Sequence, residues 1–141
     1  MYENYTRQAL PSKMYRELIG SALCVFNSNN AFIIENILRY DTEGRYNWYN
    51  LIDMTSGKLK EPVSITITAV AGLEIANLFE NLVSKRNRII HSFQITDEDG
   101  EQRLATKDKK NHQYVITEDY LLAFIADNQK LSSALHELRG Y

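Results

Sequence analysis

From Tyr15 the chain carries apolar residues at steps of mostly three and four: Ile19, Ala22, Phe26, Ile33, Ile37 and Tyr40, with Asn29 and Asn36 on the same line. That spacing describes one face of a long helix ending near Arg39. Ser12, directly after Pro11, is placed to cap its start. Asp41-Thr42-Glu43-Gly44 reads as a turn, and a short helix over Trp48 to Met54 should follow, capped by Asn47 and stopped at Gly57. Glu61-Pro62 suits the first turn of a second long helix, since proline loses no helical hydrogen bond there. Val63 to Thr68 is β-branched and alternates like a strand, which leaves its local structure ambiguous. From Ala69 the period is helical, and a continuous helix to about Ser92 accounts best for a stripe of Ile65, Ala69, Gly72, Ala76, Phe79, Val83, Arg86 and Ile90.

The period then changes. Phe93 to Thr96, Gln102 to Lys107 and Gln113 to Thr117 read as short strands joined by polar turns, a small hairpin or meander over about residues 93–117. Thr117 should cap a final helix, with Glu118 and Asp119 at its positive end. Leu121, Phe124, Asn128, Leu131, Leu135 and Leu138 form its seam, and Gly140 ends it. The expected fold is mainly α, an antiparallel helical bundle with a small β insert before the last helix. No repeat or linker divides residues 1–141, so one domain is expected.

Composition narrows the function classes. Sixteen basic and eighteen acidic side chains give a formal charge of −2, which excludes a surface uniformly positive enough for duplex DNA or anionic membrane. Any nucleic-acid contact must come from a local patch. The lone cysteine, Cys24, cannot form an internal disulfide, and its apolar neighbours suggest a buried thiol and a cytoplasmic protein. The N-terminus lacks a signal-peptide pattern and no apolar stretch is long enough to span a bilayer. Most of the nine tyrosines, Tyr141 among them, are expected to pack with their hydroxyls wet. The three histidines have no ligand at helical spacing, so no metal or cofactor is expected. The Asp97-Glu98-Asp99-Gly100 run lacks the downstream glutamate of a calcium loop and reads as a turn.

Chemistry is concentrated in Ser84-Lys85-Arg86-Asn87-Arg88-Ile89-Ile90-His91, at the end of the second long helix. On a helical wheel His91 lies about 40° from Asn87 and about 20° from both Ser84 and Glu80. Those four residues draw a polar line, whereas Arg86 lies about 140° from His91. Cooperation between guanidinium and imidazole would then require a second copy of the chain. A plainer reading places the cations and the histidine at a helix C-terminus simply because positive charge suits the negative end of the dipole. Asn29 and Asn36 carry two readings, buried polar groups that fix helix register or residues facing a dimer cleft.

The run from Arg86 to His91 resembles the signature of HEPN domains (higher eukaryotes and prokaryotes nucleotide-binding): an arginine, a polar residue (here Asn87), and a histidine five positions after the arginine. The helical layout is also similar to that family, although the β insert is not part of its minimal pattern. The resemblance implies a homodimer whose two motifs meet at the interface. It further implies a metal-independent ribonuclease of the kind found in toxin–antitoxin or phage-defence systems, with an antitoxin or other regulatory protein as a further partner. Arg86, Asn87 and His91 would be catalytic, and Lys85 and Arg88 would attract the RNA backbone. Some family members bind without cutting, so a non-catalytic nucleotide-, RNA- or protein-binding module is a second expectation and a plain helical interaction domain a third. For cleavage, the substrate's 2′-hydroxyl attacks the adjacent phosphorus, the bond to the 5′-oxygen breaks, and a 2′,3′-cyclic phosphate and a free 5′-hydroxyl result. An imidazole can pass the protons and an arginine fork can hold the phosphorane charge.

Overall fold

The computed structural model describes residues 1–140 and is mainly helical, with a three-stranded antiparallel sheet before the last helix. Helix α1 spans Lys13–Arg39, and Ser12 caps it by accepting from the Tyr15 amide. Helix α2, Trp48–Asp53, begins where Asn47 accepts from the Asn50 amide. It stops at Met54, short of Gly57, which falls inside a 3₁₀ turn over Ser56–Leu59.

The second long helix is not continuous. Helix α3 (Lys60–Val63) opens into a wide π-helical turn over Ser64–Thr68, followed by the single turn α4 (Ala69–Ala71). The β-branched run is thus helical, but wider and underwound relative to an α-helix. The Thr66 hydroxyl donates to the Pro62 carbonyl at 2.7 Å inside it. At Gly72 the backbone takes φ 83 and ψ −166, a conformation almost confined to glycine, and the helix breaks. Helix α5 restarts at Glu74 and runs to Ile90. The extra residue of the π turn and the break together shift the phase of the helix. Ile65, Ala69, Gly72 and Ile90 of the expected stripe are exposed in consequence; Phe79 and Val83 are buried as expected, and Val63, Ile67, Ile75, Leu82 and Ile89 join them in place of the exposed positions.

Strands β1 (Phe93–Thr96), β2 (Gln102–Lys107) and β3 (Gln113–Val115) form a meander, with Phe93 opposite Ala105 and Ala105 opposite Val115. Both turns use one device. Asp97 Oδ1 accepts from the amides of Asp99 and Glu101, and Asp108 Oδ1 accepts from those of Lys110 and His112. Three residues after each aspartate the chain enters the positive-φ region, at Gly100 in one turn and Asn111 in the other. Helix α6 (Glu118–Arg139) starts on the Thr117 cap and ends at Gly140, φ 84.

Contacts between α1 and α6 rise together along both sequences. The Tyr15 hydroxyl donates to the Ile116 carbonyl, the Asn29 amide to Asn128, and the Tyr40 hydroxyl to the Leu138 carbonyl. The first and last helices are therefore parallel neighbours. Helix α5 runs against both. Three residues past its end the chain enters β1, whose partner β2 delivers the Leu104 amide to the Tyr15 hydroxyl near the start of α1. Phe26, stacked between Phe79 and Phe124, joins the three helices at the centre of the core. Cys24 is exposed, contrary to expectation, because it lies half a turn from the buried Ala22 and Phe26. The tyrosines divide: Tyr15 is buried and Tyr120 half-buried, whereas Tyr2, Tyr5 and Tyr49 are largely exposed, and Tyr141 lies outside the described residues. Among the described residues no helix is long and apolar enough to cross a membrane.

Candidate functional site

The last two turns of α5 send their side chains in separate directions. Lys85 reaches α6 and pairs with Asp127 at 3.1 Å. Arg86 turns toward α1, where its guanidinium carbon lies 5.0 Å from the centre of the Phe26 ring. Burial there pushes its pKa below the usual arginine value, although a guanidinium keeps its charge throughout the physiological range. Its Nε is buried without a hydrogen-bond acceptor. Asn87 and Arg88 line a groove on the opposite side of the helix. His91 is the C-cap residue, with φ −99 and ψ 19; its amide donates to the Asn87 carbonyl and the residue is exposed. The helix therefore ends with an imidazole in solvent one turn beyond the Asn87 side chain.

Arg86 and Asn87 accordingly occupy different faces, as the helical wheel requires. Within the described chain no hydrogen bond joins Arg86 to Asn87 or His91. Lys85 and Arg88, expected to meet a substrate, both have intramolecular partners. Lys85 is in its ion pair, and Arg88 Nη1 donates to the Lys107 carbonyl at the end of β2. One guanidinium carries five N–H donors, so the Arg88 contact fixes the fork without exhausting it.

The groove has a volume of about 730 Å³ and lies between α5, the Ser56–Leu59 turn with α3, and the β2–β3 turn. Its wall on α5 includes Glu80, Ser84 and Asn87, three of the four residues on the expected polar line. His91 is not part of that wall. Toward the start of α5 the lining is apolar, from Val63, Ala76, Phe79 and Val83. Toward its end the groove meets Arg88, Lys109, Lys110 and His112. Two carboxylates line it as well: Glu80 lies 3.2 Å from the Lys60 ammonium, and Asp108 lies 3.2 Å from the His112 ring. The His112 and Lys110 amides, His112 first, hold the Asp108 carboxyl below the usual aspartate pKa. Lys109 and Lys110 are exposed and make no ion pair among the described residues. The Asp108-Lys109-Lys110-Asn111-His112 turn supplies this end of the site, whereas from the sequence His112 is weighed only as a metal ligand. Its available signal was a dense cationic run in a chain of nearly balanced charge.

Asn29 has a structural role, since its amide reaches both the carbonyl and the side-chain oxygen of Asn128 across the α1–α6 contact. Asn36 is fully buried; its amide donates to the Phe32 carbonyl, and its Oδ1 has no partner. Comparison of the chain with protein-family models, with curated proteins and with solved structures finds no match.

Proposed function

We propose that this protein is a HEPN-like endoribonuclease that cleaves RNA by attack of the 2′-hydroxyl, at a composite site formed when two copies pair, and that it acts as a toxin or phage-defence component. The observation that carries the reading is the end of α5. An exposed imidazole stands at the C-cap, one turn from Asn87, on a helix whose remaining motif residue, Arg86, faces another way. A single chain thus presents a proton carrier without its phosphate-stabilising partner, which is the arrangement a two-fold assembly would complete. In that reaction His91 takes the 2′-hydroxyl proton or supplies one to the leaving 5′-oxygen, and Asn87 orients the ring or the phosphate. Arg86 of the paired copy holds the phosphorane charge.

The test is cleavage of a labelled single-stranded RNA by wild type and by His91→Ala in excess chelator. The expected outcome is a 2′,3′-cyclic phosphate product from wild type and a rate lower by about 10²–10⁴-fold in the variant. Undiminished cutting by His91→Ala removes the proposal. A second reading has its own support: the stacking of Arg86 on Phe26 is what a packing residue does. It makes the protein a binding module, and it predicts RNA or nucleotide retention with no product from wild type.

A further inference from the structure

The β2–β3 turn changes the character of the groove beside the motif. Without it, α5 and α3 would offer an apolar cleft with one ion pair, Lys60 to Glu80. With it, one end gains Lys109 and Lys110 opposite Arg88, while the other end keeps its floor of Val63, Phe79 and Val83. Four lysine or arginine side chains face two carboxylates here, in a chain whose overall charge is −2. The excess is local and is placed by structure. Arg88 is tied to the Lys107 carbonyl, and two amides hold the Asp108 turn from within, so the three cations are presented on braced backbone.

We infer that this groove binds a nucleoside phosphate, with Arg88, Lys109 and Lys110 on the phosphate and the Val63–Phe79–Val83 floor against the base. The volume of about 730 Å³ lies within the range of small-ligand sites. Val83 and Arg88 are about 7.5 Å apart along the helix, the scale of one nucleoside. An apolar surface beside a cation cluster matches an amphipathic ligand of this kind better than it matches a free inorganic anion, which has no use for the floor. Asn87 and Ser84 lie on the wall between the two ends and offer polar contacts to the sugar. The nucleoside phosphate can be part of an RNA strand or a free nucleotide. In the first case the inference deepens the ribonuclease reading and rests on it, because the groove then leads the strand past Asn87 to His91. In the second it stands alone.

The experiment uses the full chain and a fluorescent single-stranded oligonucleotide with 2′-O-methyl sugars, which cannot undergo the transesterification. Free ATP, inorganic phosphate and polyglutamate serve as competitors. Lys109→Glu with Lys110→Glu is the test variant. Both side chains are exposed, and the turn is held through backbone amides, so the fold should persist, with circular dichroism as the check. Lys13→Glu with Lys130→Glu, outside the groove, matches the change in net charge. The expected result is salt-dependent binding by wild type and a loss of at least about tenfold in the test variant. Its log–log salt slope should fall by about 1.4, at roughly 0.7 per phosphate contact on a single strand. The control should stay near wild type.

Displacement by ATP at low concentration identifies a free nucleotide as the natural source, and its absence identifies the strand. Equal binding by test variant and wild type, no wild-type binding at low salt, or polyglutamate competing as well as RNA each overturns the inference. Binding in the groove is read from the Lys109→Glu, Lys110→Glu variant, and cleavage from His91→Ala. Loss of cleavage with retained binding therefore speaks to the catalytic reading alone, and loss of groove binding with retained His91-dependent cleavage speaks to the groove alone.

Discussion

At the scale of single residues, a buried phenol, Tyr15, and a half-buried one, Tyr120, make a stability prediction. Tyr15 donates to the Ile116 carbonyl at 2.5 Å and accepts from the Leu104 amide at 3.1 Å, joining α1 to the sheet and to the entry of α6. Burial raises its pKa. Burial also pushes Tyr120 up from 10.0 to about 12, helped by its neighbour Tyr114, whose ring centre is 6.3 Å away. For a group whose pKa is raised on folding, the stabilisation is complete below the unfolded value and is lost as pH rises through the folded one. Stability should therefore fall between pH 10.0 and about 12, where the unfolded chain has released the Tyr120 proton and the folded chain still holds it. Urea midpoints measured across that window should fall less steeply for Tyr120→Phe than for wild type. An unchanged slope would show that the phenol is not held neutral. Arg86 illustrates the opposite case, since its charge survives partial burial by stacking on a ring rather than by pairing with a carboxylate.

At the scale of elements, the same chemical change should have opposite signs at two glycines. Gly72 separates α4 from α5 with φ 83 and ψ −166, and a Cβ added there meets no atom within 4 Å. The cost of Gly72→Ala is thus conformational, about 1–3 kcal/mol. Gly20 lies inside α1, where an added Cβ also meets nothing within 4 Å, so Gly20→Ala should stabilise by about 0.5–1 kcal/mol. Denaturant melts of the two variants give the comparison directly, and a neutral Gly72→Ala would mean that the break can close into continuous helix. The break bears on the site as well as on stability. It frees the α3 segment from the axis of α5, and α3 contributes Lys60 and Val63 to the far wall of the groove. The β2–β3 turn supplies the near end. Two departures from regular helix, a π turn and an insert, therefore shape a cleft that an uninterrupted helix would leave shallow.

At the scale of the whole molecule, the question is how many chains make one site. If Arg86 of one copy serves His91 of another, then Arg86→Ala and His91→Ala proteins are each inactive, but in a mixed dimer one of the two sites has both groups intact. Random mixing should restore about a quarter of wild-type cleavage, because half the dimers are mixed and each holds one working site. Restoration on mixing, measured with sedimentation to establish the assembly, is the expected outcome. A strictly monomeric protein, or mixtures as inactive as their components, would remove the composite site while leaving the groove prediction untouched. Apolar groups at this end of the molecule, Ile90 at the helix end with Phe93 and Val115 across the sheet register from Ala105, are exposed in the single chain.

Caps, periods and turn residues were legible in the sequence because they act over a few positions. Ser12, Asn47 and Thr117 mark helix starts by hydrogen bonds to amides three residues on. The seam of α6 follows from a 3.6-residue repeat, and the strands from a change of period. The motif was legible in the same way, as residue types at fixed spacing, and the angular separation of Arg86 from His91 followed from helix geometry alone. What lay beyond the sequence depends on accumulated phase or on distant chain segments meeting. One extra residue in the π turn moved the buried stripe off Ile65 and Gly72, an offset that a window of regular helix cannot register. The parallel pairing of α1 with α6, and the meeting of Arg88 with a lysine-bearing turn from the sheet, required the folded chain. Local rules set each element, but charge at the groove is a sum over segments far apart in sequence, and only packing brings those terms within reach of one another.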